Sequence, residues 1–338
     1  MAEASLRGIR RILGSAGSRQ PRFSAHRTMA EQTTLIVNVF YALTLAKLYM
    51  VSDRYIGWGG DFQNVELLWP LWWTGFVDQQ RALFLLASLS LVAGTLGLFW
   101  WRALWVRIFV SVMLLLLAAF NNQGGTINHS SHEWLWVSVA FWFLPSGSPN
   151  LGLEDRLWRV RLMLAFAGAG GLIMMFYALS GMWKVIEGLE QVVAGEFGGL
   201  HPDAMAVTIA RRAMQTGTSP LLAELIIAVP WAGWPLYLGL YYVEIVALVV
   251  IFRPELVRLW GAILIAFHLG TLAFLDIIFV DHVVINALLF WLAPWAVKRP
   301  GWREMAVALP VFGMLLRQFL SSPSAPARGG AAPASGRV

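Results

Sequence analysis

The stretch Ala82–Trp101, ALFLLASLSLVAGTLGLFWW, runs for 20 positions without a charged residue. A helix of about 20 apolar residues crosses the hydrocarbon core of a bilayer, so this segment predicts a membrane span. Comparable runs lie on either side of it, at 34–51, 104–120, 134–145 (short), 161–181, 236–252, 259–280, 282–297 and 305–320. The segment 221–235 is also apolar, but Pro230 and Pro235 predict a broken helix leading into the next span. Residues 62–77 place five aromatics around Pro70, a pattern expected of an interfacial or re-entrant element. The expected fold is all-α: a polytopic integral membrane bundle of eight or nine transmembrane helices, with the ninth segment, 305–320, either spanning or lying flat.

Composition leads to the same class. Charged residues make up 13% of the 338-residue chain and apolar residues 58%, with 18 Trp and 20 Phe. A soluble domain averages about 25% charged. That excludes a soluble enzyme, a disordered chain and a nucleic-acid module, and makes the lipid bilayer the first partner. The net charge of +6 then reads as membrane topology rather than as a footprint for a polyanion. There is no cysteine, so thiol chemistry, disulfides and Cys-ligated metals are excluded.

The ends are simpler in composition. Residues 1–33 hold Arg7, Arg10, Arg11, Arg19, Arg22 and Arg27 and read as a basic flexible arm, with a transit peptide as the lesser alternative. Residues 321–338 are rich in Pro, Ala, Gly and Ser and read as a disordered tail. With the N-terminus in the cytoplasm, the inner connections are Arg102–Arg107, Ser146–Arg161, Arg253–Arg258 and Lys298–Arg303, all carrying Arg or Lys. The opposite connections are acidic or neutral on balance: Asp53 to Asp78, Asn121–Glu133, 182–220 and Asp281-His282. This alternation predicts a cytoplasmic N-terminus and polar loops on the outer face, as in a bacterial inner membrane protein.

Three groups of residues could carry chemistry. The loop Asn121–Glu133 packs Asn128, His129, His132 and Glu133 into one boundary segment, and a helix starting near Asn128 would put His129, His132 and Trp136 on one face. Ser180-Gly181-Met182-Trp183-Lys184 ends a span containing Gly168, Gly170 and Gly171. Lys184 there is either a snorkelling anchor or an amine in a partly dry pocket, usable as a base, and the glycines suit close helix packing. His268 and Glu244 lie inside apolar runs, where an ionisable residue is a functional hypothesis by default. Asp276 stands two turns beyond His268, and Asp281-His282 at a turn. The His–Asp spacings match no standard ligand set, so no metal is expected.

In order and spacing these motifs resemble the vitamin K-dependent γ-glutamyl carboxylase family and, more widely, the horizontally transferred transmembrane (HTTM) domain family of its bacterial relatives. The motifs are Asn128-His129-Ser130 before a span, Ser180-Gly181-x-x-Lys184 ending the next, and Phe267-His268 before a helical hairpin that closes with Ala293-Pro294-Trp295. The resemblance covers roughly residues 30–300. It implies a reduced quinone, vitamin K hydroquinone or menaquinol, as cofactor. It implies Lys184 as the base that deprotonates the quinol, His129 and Asn128 as residues that bind and orient it, and His268, Glu244 and Trp183 as further quinone-binding residues. The chain departs from the pattern at Trp183-Lys184, where the carboxylase has paired lysines, and at Ile127-Asn128, where it has paired asparagines. The carboxylase's large luminal domain after the membrane part has no counterpart here.

The expectation is therefore a carboxylase-like membrane enzyme using a reduced quinone, O2 and CO2, with a peptide or protein as the possible substrate. The alternative is a non-catalytic HTTM protein: a maturation or immunity factor, or a lipid-binding subunit of a complex. A transporter would need more intramembrane charge and an inverted repeat, and the sequence has neither.

Overall fold

The computed structural model describes residues 26–56, 68–122, 131–147 and 153–320. Among these residues the protein is all-helical, without a strand. The first long helix is α1, Arg27–Ile56. A short 3₁₀ helix, Trp69–Phe76, follows, with Pro70 in its first turn. It occupies part of the aromatic segment read as interfacial; residues 57–67 lie outside the described residues. Next come α2, Gln79–Trp100, and α3, Leu104–Asn121. Asp78 caps α2 by accepting a hydrogen bond from the Arg81 N–H at 3.1 Å.

The short span expected at 134–145 is α4, His132–Ala140, tightened at its end into a 3₁₀ turn, Phe141–Phe143. The span expected at 161–181 belongs to the much longer α5, Arg156–Ala194. Asp155 caps its start through the Leu157 N–H, and Gly195 ends it with a left-handed backbone at φ 69°. At a rise of about 1.5 Å per residue, α5 is about 58 Å long, nearly twice a bilayer core. It is thus longer than one crossing needs, and its last turns carry Glu187 and Glu190.

The surface helix expected at 202–215 is α6, Ala204–Thr216. Pro230 stands at a break in the next stretch, whereas Pro235, expected to break it too, is carried inside a continuous helix. The chain forms α7, Ala223–Ala228, then α8, Pro230–Ile245, with Pro235 inside it, and then the single turn α9, Ala247–Val250. After α10, Val257–Leu275, come α11, Val280–Asn286, and a π-helical segment, Ala287–Trp291. Among the described residues five helices are long and apolar enough to cross a membrane: those within α1, α2, α3, α5 and α10. The last two helices, α12 (Trp302–Ala308) and α13 (Phe312–Leu320), belong to a second compact unit that begins at Lys298. The segment expected as one span at 305–320 is thus two short helices parted by a bend at Pro310-Val311.

Within the main unit, Arg19–Val297, α1 packs along α2, α2 against α3, and α5 against α4 and α8. Aromatic rings tie the helices together. Phe40 stacks on Trp134 at 5.3 Å and meets Phe141 edge-on at 4.9 Å, while Phe166 links Phe141 to Trp295. Each buried indole N–H needs a partner. Trp101 donates to Asn38, Trp134 to Thr44, Trp142 to Ser111, and Trp260 to the Val243 carbonyl. One charge assigned to a loop from sequence proves to be structural. Arg107 is 1% exposed in the first turn of α3 and donates to the Leu144 carbonyl and to Ser146.

Candidate functional site

Lys184 lies on α5, one turn beyond Gly181 and two turns beyond Tyr177. Its ammonium donates to both oxygens of Glu244 on α8, at 2.6 and 2.7 Å. The pair is asymmetric: the Lys184 side chain is 36% exposed and that of Glu244 only 3%. A lone carboxylate in an apolar helix is costly, and a two-pronged ammonium offsets much of that cost. Gly181 makes the contact possible. A Cβ there would stand 2.7 Å from the Glu244 Cβ and 2.8 Å from the Ile245 nitrogen, so only glycine lets α5 and α8 approach this closely. Gly170 likewise packs on Phe290, whereas Gly168 and Gly171 face open space. Of the three glycines expected to pack closely, Gly168, Gly170 and Gly171, only Gly170 does so; the tightest approach on α5 is at Gly181.

Two turns toward the start of α5, at a rise of about 10 Å, Tyr177 heads a second group. Its hydroxyl lies 2.7 Å from His268 Nε2 and accepts a hydrogen bond from Asn286 Nδ2 at 2.9 Å. His268, in the middle of α10, is 5% exposed, and Asn286 is fully buried. Asn286 is the last residue of α11, just ahead of the π-helical turn. π-Bulges are frequent at functional sites. The His268 ring packs against that of His282 at 4.6 Å and edge-on to Phe279 at 5.4 Å. Glu133, in the first turn of α4, puts Oε1 3.8 Å from His282 Nε2. Glu133, His268 and His282 each offer one donor atom within 4.8 Å of the others.

A second lysine–carboxylate pair borders a cavity. Lys47 of α1 lies 2.5 Å from Asp281, 3.3 Å from the Ser131 hydroxyl and 5.7 Å above the Trp134 ring. Its side chain is 16% exposed and that of Asp281 17%. The cavity holds about 530 Å³, within the range of small-ligand pockets. Asn121, Asn122 and Ser131 supply further polar groups, and Leu43, Met50 and Val284 part of an apolar wall.

The residues singled out from sequence fall into four sets. Lys184 and Glu244 meet directly. His268 is buried beside Tyr177, on the same face of α5 as Lys184. Trp183 is 68% exposed, while Asn128 and His129 lie outside the described residues. Asp276 does not extend the His268 face; it ends α10 in a left-handed cap at φ 54°. His132 begins α4, and Trp136 packs on Phe176 at 5.4 Å. Sequence reading passed over Lys47, Tyr177 and Asn286. Lys47 carried a usable signal, an amine in the middle of an apolar run, the same rule that picked out His268. Comparison of the chain with family models, with curated proteins and with solved structures gives no match.

Proposed function

We propose that this chain is an integral membrane enzyme that works on a reduced quinone, with Lys184 as the base. The observation that carries the reading is the two-pronged contact between a half-exposed lysine and a carboxylate buried among membrane helices. One proton moved from Nζ to Glu244 turns the ammonium–carboxylate pair into an amine and a carboxylic acid, with no change in net charge. The amine can then take the proton of a quinol hydroxyl. The His268–Tyr177–Asn286 hydrogen-bonded group supports the reading, since Tyr177 lies two turns from Lys184 on the same face of α5.

The resemblance read from the motifs supplies the rest of the chemistry. The deprotonated quinol meets O2, the resulting alkoxide removes a proton from the substrate in a site kept dry by Trp, Phe and Leu side chains, and CO2 adds to the carbanion. In this reading His129 and Asn128 orient the quinol ring, and a peptide or protein is the substrate. The chain crosses a bacterial inner membrane eight or nine times from a cytoplasmic N-terminus, with the site toward the outside. The crossings beyond the five long helices are α4, the broken α8–α9 pair and α11 with its π turn, with the 302–320 segment as the ninth.

The test is incubation of purified protein with reduced menaquinone, O2 and CO2, followed by assay for quinone epoxide. Epoxide is expected from wild type and not from the double variant Lys184→Ala/Glu244→Gln, which removes the base without leaving a buried charge. No epoxide from wild type, or equal epoxide from the double variant, overturns the mechanism. A cysteine at Gly125 labelled from outside intact cells supports the orientation; labelling only after lysis reverses it.

A further inference from the structure

The convergence of Glu133, His268 and His282, from α4, α10 and α11, goes beyond the quinone reading and does not rest on it. We infer that these three side chains form a binding site for one divalent transition-metal ion. Two imidazoles and one carboxylate, with a fourth position open, are the donor set of many zinc sites and of non-haem iron centres.

Three observations carry the assignment. First, one donor atom from each residue lies within 4.8 Å of the other two, although the residues come from three separate helices. Donors around a tetrahedral ion at about 2.1 Å lie roughly 3.4 Å apart. The 3.8 Å between Glu133 Oε1 and His282 Nε2 is close to that spacing and too long for a hydrogen bond. Glu133 Oε1 and His282 Nε2 thus approach each other without a direct hydrogen bond between them.

Second, the donors are buried and incompletely used. Glu133 is 7% exposed and His268 5%. Glu133 Oε2 and His268 Nδ1 have no hydrogen-bond partner among the described residues. A buried polar atom left without a partner costs about 1–3 kcal/mol, so two in one cluster call for a ligand. Third, the surroundings hold the ligand rings as metal sites require. The Tyr177 hydroxyl engages His268 Nε2 and also meets Glu133, and Asn286 donates to that hydroxyl, so the ring and the carboxylate are held by the same group. The nearby Asp281 is held by Lys47, so its charge is already engaged. The 530 Å³ cavity is lined by Trp134 and Asp281, each next in the chain to one of the proposed ligands, Glu133 and His282.

The test uses the full chain in detergent, purified through a tag free of histidine and stripped with a chelator. Zn²⁺ is then titrated against a competing chromophoric chelator, and Fe²⁺ is titrated in a parallel anaerobic arm. One tightly held ion per chain is expected in at least one arm. Glu133→Gln and His282→Ala should each weaken that binding at least tenfold. His201→Ala should leave it unchanged, because His201 and Asp203 form an exposed pair elsewhere. Should the variants fail to fold, X-ray absorption on wild type loaded with the bound metal still decides: two imidazoles in the first shell support the site. Failure of both metals to bind, which would mean that only water fills the space, overturns it. So does undiminished binding in folded Glu133→Gln or His282→Ala, or a shell without two imidazoles. The readout is binding, so the epoxide assay can fail without touching this result, and the reverse holds too.

Discussion

Among the described residues two lysine–carboxylate pairs join one helix to another, and they are built differently. Lys184–Glu244 is lopsided, with a deeply buried acid gripped at both oxygens by a lysine that reaches outward. Lys47–Asp281 is even-handed: both side chains are about equally accessible, one oxygen is engaged, and Trp134 and Ser131 share the amine. Only the second borders the cavity. The contrast separates two tasks. The first pair keeps a charge inside the bundle that could not stay there alone. The second balances charge at the wall of an opening, where water relieves part of the cost.

The sharpest way to break this contrast is to remove one lysine at a time. Lys184→Ala strands the Glu244 carboxylate, so a loss of about 3–5 kcal/mol is expected, measured by denaturant unfolding in detergent. Adding Glu244→Gln should restore most of it. If the double variant is no more stable than the single, the stranded charge is not the cause. Next in size is Tyr177→Phe. It takes away the hydroxyl that Asn286 and His268 share, leaving buried polar groups unpaired, and should cost about 2–3 kcal/mol.

Gly181→Ala comes third. The added methyl collides with the Glu244 Cβ and the Ile245 backbone, and overpacking of this kind costs about 1–3 kcal/mol. Gly168→Ala is its control. Nothing lies within 4 Å of the new methyl, and helix propensity should stabilise the protein by up to about 1 kcal/mol. Equal thermal shifts in the two variants would show that the α5–α8 approach is not tight at Gly181. The smallest effect is expected from Lys47→Ala, about 1 kcal/mol, because water reaches Asp281. A loss as large as that of Lys184→Ala would erase the distinction between the pairs.

Much of the helical layout was legible from the residues. The uncharged run 82–101 becomes α2 almost to the residue, because apolar length is a local property. Pro230 opens a new helix where it stands, since a missing N–H acts locally, but Pro235 is accommodated inside α8. The length of α5 was not legible: its last turns are polar and carry no span signal, and they end only where Gly195 turns left-handed. Lys184 and Glu244 could each be picked out as unusual, but nothing in their spacing pairs them. That pairing depends on Gly181, whose missing side chain matters only because another helix crosses there. Tyr177 and Asn286 are ordinary residues in apolar runs, and only the partners brought by folding make them part of a site.

By itself, the order of residues determined that this chain is helical and made for lipid, because burying so much apolar surface with so few charges leaves no other solvent for it. Which of its rare polar side chains meet was decided in three dimensions. Glu133 sits more than 130 residues from His268 and His282, which lie on two consecutive helices. Their donor atoms are brought within a few ångströms by the closeness of helix crossings, a quantity that no local pattern encodes.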